Sequence, residues 1–173
     1  MMAGGLTNLD LMERYASLGP DFLTWLAARG QEGSLPAIPS EPELSVEVKG
    51  PMLFEAAHGE ATKVTLAGDE AATAPEVDAA LKVGKRLRRA KFEFSVVDAT
   101  WAFTLDGETF DIKSVKLPVP KIADENEYLK MRVQALQHLT RLIEELFEAF
   151  LVTRLEPSAW KEEVVSWTRV HEA

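Results

Sequence analysis

Side chains able to act as nucleophiles, bases or metal ligands are few in this 173-residue chain, and they are poorly spaced for joint work. There is no cysteine, which excludes thiol nucleophiles, thiolate metal sites and disulfides and fits a reducing cytoplasm. His58, His138 and His171 fall in a turn, on a long helix and at the C-terminus, without HExxH or comparable metal spacing. They read as structural or solvated. No serine sits in a G-x-S-x-G pattern. Gly84-Lys85 lacks the earlier glycine and the following Ser/Thr of a phosphate-binding loop, and the local periodicity sets it inside a helix. Glu144, Glu145 and Glu148 line the polar face of another helix, where charge flanking an apolar stripe is ordinarily solvated. A two-metal nuclease needs several acids at one buried point, and the spacing offers none. The expectation is a protein that is not an enzyme, with no catalytic residue, no metal and no cofactor.

What stands out instead is a basic island. Lys82, Lys85, Arg86, Arg88, Arg89 and Lys91 fall within residues 82–91, without an acid, in a chain of formal net charge −9. Residues 82–121 carry nine Lys/Arg against five acids, so the rest of the chain is strongly acidic. Such an asymmetry disfavours a surface that attracts polyanions everywhere and allows one electropositive face. On a helix, Lys82, Lys85, Arg86 and Arg89 follow i, i+3, i+4 and i+7, which is one stripe of cations suited to phosphates. Capping of a helix C-terminus would account for only two or three of the six.

The elements that position this island read as α, βββ, α, βββ, α, α. Residues 5–29 form an opening helix, broken or bent at Gly19-Pro20 and followed by a Pro/Gly-rich linker to residue 42. Residues 43–173 form an α+β region, the whole making one compact domain. Strands are expected at 44–49, 52–57 and 62–66, with turns at Gly50-Pro51 and at 58–60. A helix from Pro75 through the island to Ala90 follows, with acids early and bases late. Strands at 91–97, 100–105 and 109–117 come next, with Phe92, Phe94, Trp101 and Phe103 inward and a phase slip near Lys113-Ser114 that indicates a β-bulge. A long helix spans 124–155 with Leu129, Leu136, Ile143 and Phe150 every seven residues, and Pro157 ends it or opens a last helix containing Trp160 and Trp167. The fold class is α+β with mostly antiparallel sheet, and the order admits a duplicated βββα unit, echoed loosely by "HGEATKVTL" and "DGETFDIKSVKL". The N-terminus carries no basic start and apolar run of the kind that directs export, and no apolar stretch is long enough to span a membrane.

Three segments, "LGPDFLTWLAARGQEG" at 18–33, "ALKVGKRLRRAKFEFSVVDATWAFTLDGETFDIKSVKLP" at 80–118 and "LIEELFEAFLVTRLEPSAW" at 142–160, resemble the RdgC family of recombination-associated proteins. The resemblance covers most of the chain and corresponds to the C-terminal portion of longer members. Ala27-Ala28 stands where an aromatic pair is expected after Trp25-Leu26. The resemblance implies a nucleoid-associated protein that binds duplex DNA with little sequence preference as a ring-shaped homodimer and restrains RecA-promoted recombination. Carried over by matching segment, it implies DNA contacts from Lys82, Lys85, Arg86, Arg88, Arg89, Lys113 and Lys116.

Sequence and resemblance together give the expectation of a non-enzymatic, sequence-independent duplex-DNA-binding protein of the recombination or nucleoid type, cytoplasmic and not membrane-bound. Self-association is expected as a homodimer or ring that sets Lys82, Lys85, Arg89 and Lys116 of each subunit along a shared channel, and recombination proteins are further candidate partners. Two alternatives stand beside this reading. One is a protein-interaction or structural module in which the basic segment docks an acidic partner, and the other is a metal-dependent nuclease. With the aromatics inward, base stacking is disfavoured.

Overall fold

The computed structural model describes residues 12–56, 63–66, 80–81 and 84–169. Its centre is a five-stranded antiparallel sheet of β1 (Ser45–Ala56), β2 (Lys63–Leu66), β3 (Lys85–Val96), β4 (Ala99–Asp106) and β5 (Ile112–Lys116), in the order β2-β1-β3-β4-β5. Among the described residues three long α-helices accompany it: α1 (Gly19–Glu32), α2 (Glu125–Arg154) and α3 (Pro157–Arg169). The α+β class with a long C-terminal helix is therefore as expected.

Each helix begins where the sequence permits. A 3-10 turn over Ala16–Leu18 leads into α1, whose first turn holds Pro20, so the expected break divides the opening run into two helical pieces. The helix ends at Gly33, which takes the left-handed conformation (φ 68°) and donates to the carbonyls of Arg29 and Gly30. Asp124 caps α2 by accepting from the amides of Asn126 and Glu127. α3 starts at Pro157.

One face of the sheet is buried and the other is open. Val46, Val48, Met52, Phe54, Leu87, Ala90, Phe92, Phe94, Trp101, Phe103 and Leu105 alternate along their strands onto the buried face. They share one core with Phe22, Leu23, Trp25 and Leu26 of α1 and with Leu139, Leu142, Ile143, Leu146, Phe147, Phe150 and Leu151 of α2. Phe22 joins the layers, with ring centroids 5.1 Å from Phe147 and 5.4 Å from Phe150. Thr24, buried in α1, accepts a hydrogen bond from the Leu87 amide at 2.8 Å and so fixes α1 on β3.

Three expectations are corrected. The island is not the end of a helix. Residues 80 and 81 are helical, Gly84 turns the chain (φ 84°), and Lys85–Ala90 belongs to β3. The reason is a β-bulge. Leu53 pairs with Arg89 and Phe54 with Leu87, so Arg88 is the extra residue and the buried positions step by three from Leu87 to Ala90 before stepping by two to Phe92 and Phe94. A three-residue step beside a two-residue step imitates helical spacing. The second correction is that Gly50-Pro51 is no turn: β1 runs through it along β3, with a register shift between Lys49 and Met52. Pro51 lies just outside the β1–β2 pairing, which begins at Met52, so its missing N–H costs β2 nothing. Third, among the described residues six expected strands are five, because the first two are one strand, and the sheet sets an antiparallel β1–β2 pair beside a β3-β4-β5 meander rather than two equal βββ halves. The β-bulge expected near Lys113-Ser114 is present: β4 advances from Ala102 to Thr104 while β5 passes from Lys116 to Lys113, and Ser114 has φ 53°.

Candidate nucleic-acid interface

Register turns the alternating strands into rows across the open face. Lys49 of β1 pairs with Lys91 of β3, Lys91 with Thr104 of β4, and Thr104 with Lys113 of β5. Directly opposed residues point to the same side of a sheet, so Lys49, Lys91 and Lys113 stand in one row perpendicular to the strands. With strands about 4.8 Å apart, Lys91 and Lys113 are about 10 Å apart at the backbone. The neighbouring row runs Glu47, Glu93, Ala102, Lys116. On the other side Arg89 lies between Leu53 and Asp106. The described open face carries no aromatic side chain.

The expected contact residues divide into two groups. Arg86 and Arg88 are engaged in ion pairs, with 15% and 26% of their side chains exposed. The Arg86 Nε donates to Asp21 Oδ1 at 2.9 Å, and its guanidinium lies 5.1 Å from the Trp167 ring centroid. Asp21 also accepts from Arg154 Nε at 3.0 Å, which makes it a bridge between β3 and α2. Arg88 donates to Glu55 at 2.8 Å and pairs with Glu108 of the β4–β5 turn. The hydrogen bond to Glu55 holds the Arg88 guanidinium above its usual pKa, so it is charged at any working pH. By contrast Lys85, Arg89, Lys113 and Lys116 have no ion pair among the described residues, and Arg89, Lys113 and Lys116 are exposed. Lys82 lies outside the described residues.

Lys49 and Lys91, which share the row with Lys113, were not among the expected contact residues. The signal was present: period-two alternation places Lys49 outward with Glu47 and would have done the same for Lys91 had the island been read as a strand. Lys91 is half-buried by its neighbours and has no ion pair among the described residues, whereas Lys49 pairs with Glu47 at 3.1 Å.

The other candidates for chemistry do not converge. His58 and His171 lie outside the described residues. His138 shares a 3.0 Å contact with Glu41 beside the Trp101 ring, and Ser40 donates through both its amide and its hydroxyl to Glu145. These contacts dock the 39–41 loop onto α2. Among the described residues no three His, Asp or Glu side chains gather to hold a metal ion. Gly84-Lys85 leads from a turn into a strand, the reverse of the strand-to-helix order of a phosphate-binding loop.

No described helix is long and apolar enough to cross a membrane. No family model matches the chain, and neither a curated protein nor a solved structure matches it.

Proposed function

We propose that the open sheet face is a phosphate-binding surface through which the protein binds duplex DNA without sequence preference and without catalysis. One observation carries the reading: four cations with no ion pair among the described residues, Arg89, Lys91, Lys113 and Lys116, stand on adjacent rungs of one solvent-facing sheet in an otherwise acidic protein. Their ammonium and guanidinium groups suit phosphate oxygens, and a rigid sheet holds them at fixed spacing. The lack of aromatics on the described part of that face favours backbone contact over base stacking. A recombination-associated or nucleoid role is supported by the family resemblance alone.

The test is a salt titration of binding to a fluorescent duplex. Three or four neutralised phosphates give a log–log slope of about −3, and each lysine replaced flattens it by about 1. Lys91→Glu with Lys113→Glu abolishes binding in this reading. Unchanged binding by that double variant, or none by the wild type at low salt, rejects it and favours the protein-interaction alternative, in which the same cations meet an acidic partner. Labelled DNA that stays intact with Mg²⁺ or Mn²⁺ is expected, and cleavage lost with one carboxylate substitution restores the nuclease alternative.

A further inference from the structure

The first half of α2 extends past the core. From Leu139 onward the helix buries its apolar stripe, but Leu129, Val133 and Leu136 are 59%, 45% and 42% exposed, at i, i+4 and i+7 of one face. This stretch has the pattern of a paired helix. Taking Leu129 and Leu136 as the d positions of a heptad places Val133 and Asn126 at a, Glu125 at g and Lys130 at e. Val at a with Leu at d favours two parallel strands, and a single Asn at a fixes register and favours the dimer. In a parallel pair the g residue of one helix meets the e residue of the next heptad in the other, so Glu125 faces Lys130 twice across the dyad. Both side chains are exposed and neither has an ion pair among the described residues.

We infer that residues 125–137 of α2 form a short parallel two-helix contact with a second copy of this chain. The seam is self-complementary in its heptad pattern and its charge, which argues for a second copy rather than an unrelated partner. Beyond Thr140 the two helices diverge, because Leu139 and Ile143 turn to each subunit's own sheet. The contact is independent of the DNA reading. With only two heptads it is a weak dimer, in exchange with monomer.

Sedimentation equilibrium of the full chain across a concentration series tests it. The wild type is expected to show monomer–dimer exchange. Leu129→Lys with Val133→Lys is expected to be monomeric, with its circular dichroism and unfolding midpoint retained because both residues are exposed. Glu125→Lys and Lys130→Glu should each weaken the dimer by roughly tenfold, and the two together should restore it. A wild type that is monomeric throughout overturns the inference, as does a dimer indifferent to the lysine pair. Failure of the charge exchange to restore association overturns the parallel pairing.

Discussion

Arg88 and Arg89 are consecutive in the chain, yet Arg88 donates to Glu55 at 2.8 Å whereas Arg89 stands exposed and has no ion pair among the described residues. The bulge at Arg88 sets both residues between the inward Leu87 and Ala90, and the difference lies in their partners. The bulge inserts one residue between the register pairs Phe54/Leu87 and Leu53/Arg89, and the freed Arg88 carbonyl accepts from the Gly107 amide of the β4–β5 turn. It is the pairing of Arg88 with Glu55 and Glu108 that separates the roles of the two arginines.

That division is measurable. Arg88→Ala leaves Glu55 without its donor and Glu108 without its partner, and a loss of about 1–3 kcal/mol in urea unfolding is expected, with DNA affinity nearly unchanged. Arg89→Ala should do the reverse, weakening DNA binding while the unfolding midpoint stays in place. Equal effects of the two on binding would contradict the assignment.

Asp21 predicts a second stability effect. Its two carboxylate oxygens serve Arg86 and Arg154, whose guanidinium groups lie over Trp167 and Trp160 at 5.1 Å each. Asp21→Ala leaves two mostly covered cations facing each other, and a cost of about 2–4 kcal/mol is expected. In a double-mutant cycle with Arg154→Ala the two losses should fall short of additive. Strict additivity would mean that the bridge does not couple them.

How much of this was legible depended on whether one period ran unbroken. The helix at 125–154 and the strands at 91–105 keep a single phase for several turns or pairs and were readable, with their inward faces except for Leu129 and Leu136, which the helix carries past the core. Lys85–Ala90 was not, because the bulge at Arg88 converts a two-residue period into a three-residue step, and cations at i, i+3, i+4 and i+7 then look like a helical stripe. Gly50-Pro51 misled for a related reason: the dipeptide is a strong turn signal, but here it shifts the register of a strand that keeps its neighbour on both sides of the shift. The transverse row of Lys49, Lys91 and Lys113 was invisible because it depends on pairing register, and register belongs to three separate segments at once. The engagement of Arg86 by Asp21, 65 residues away in the sequence, was hidden likewise.

Gly19 gives a third prediction, again from distance in sequence. Its backbone meets Gly107 so closely that a Cβ at position 19 would lie far inside contact with the Gly107 carbonyl. Gly19 has ordinary helical dihedrals, so the requirement is space and not conformation. Gly19→Ala must push the start of α1 away from the β4–β5 turn, and a loss of about 3 kcal/mol is expected. Gly33→Ala has open space around it but keeps a strained φ of 68°, and about 1 kcal/mol is expected there. Equal, small effects would show that the turn yields to α1.

Glu144 supplies a pH-dependent prediction. Burial raises its pKa above the ordinary carboxylate value, while Arg141 opposes this and the neighbouring Glu145 adds to it. A carboxyl with a raised pKa in the fold binds its proton more tightly folded than unfolded, so stability falls as pH rises through the folded value. The cost is complete at neutral pH, where Glu144 is charged in both states, and absent below the ordinary carboxylate range, where it is protonated in both. Glu144→Gln should therefore be more stable than wild type at pH 7, and its advantage should shrink on acidification from the raised value down to the ordinary one. Urea unfolding of both proteins from neutral pH down through the carboxylate range reads this directly. Curves that stay parallel over the whole range, or a variant less stable at neutral pH, would show that Arg141 compensates the burial of Glu144 in full.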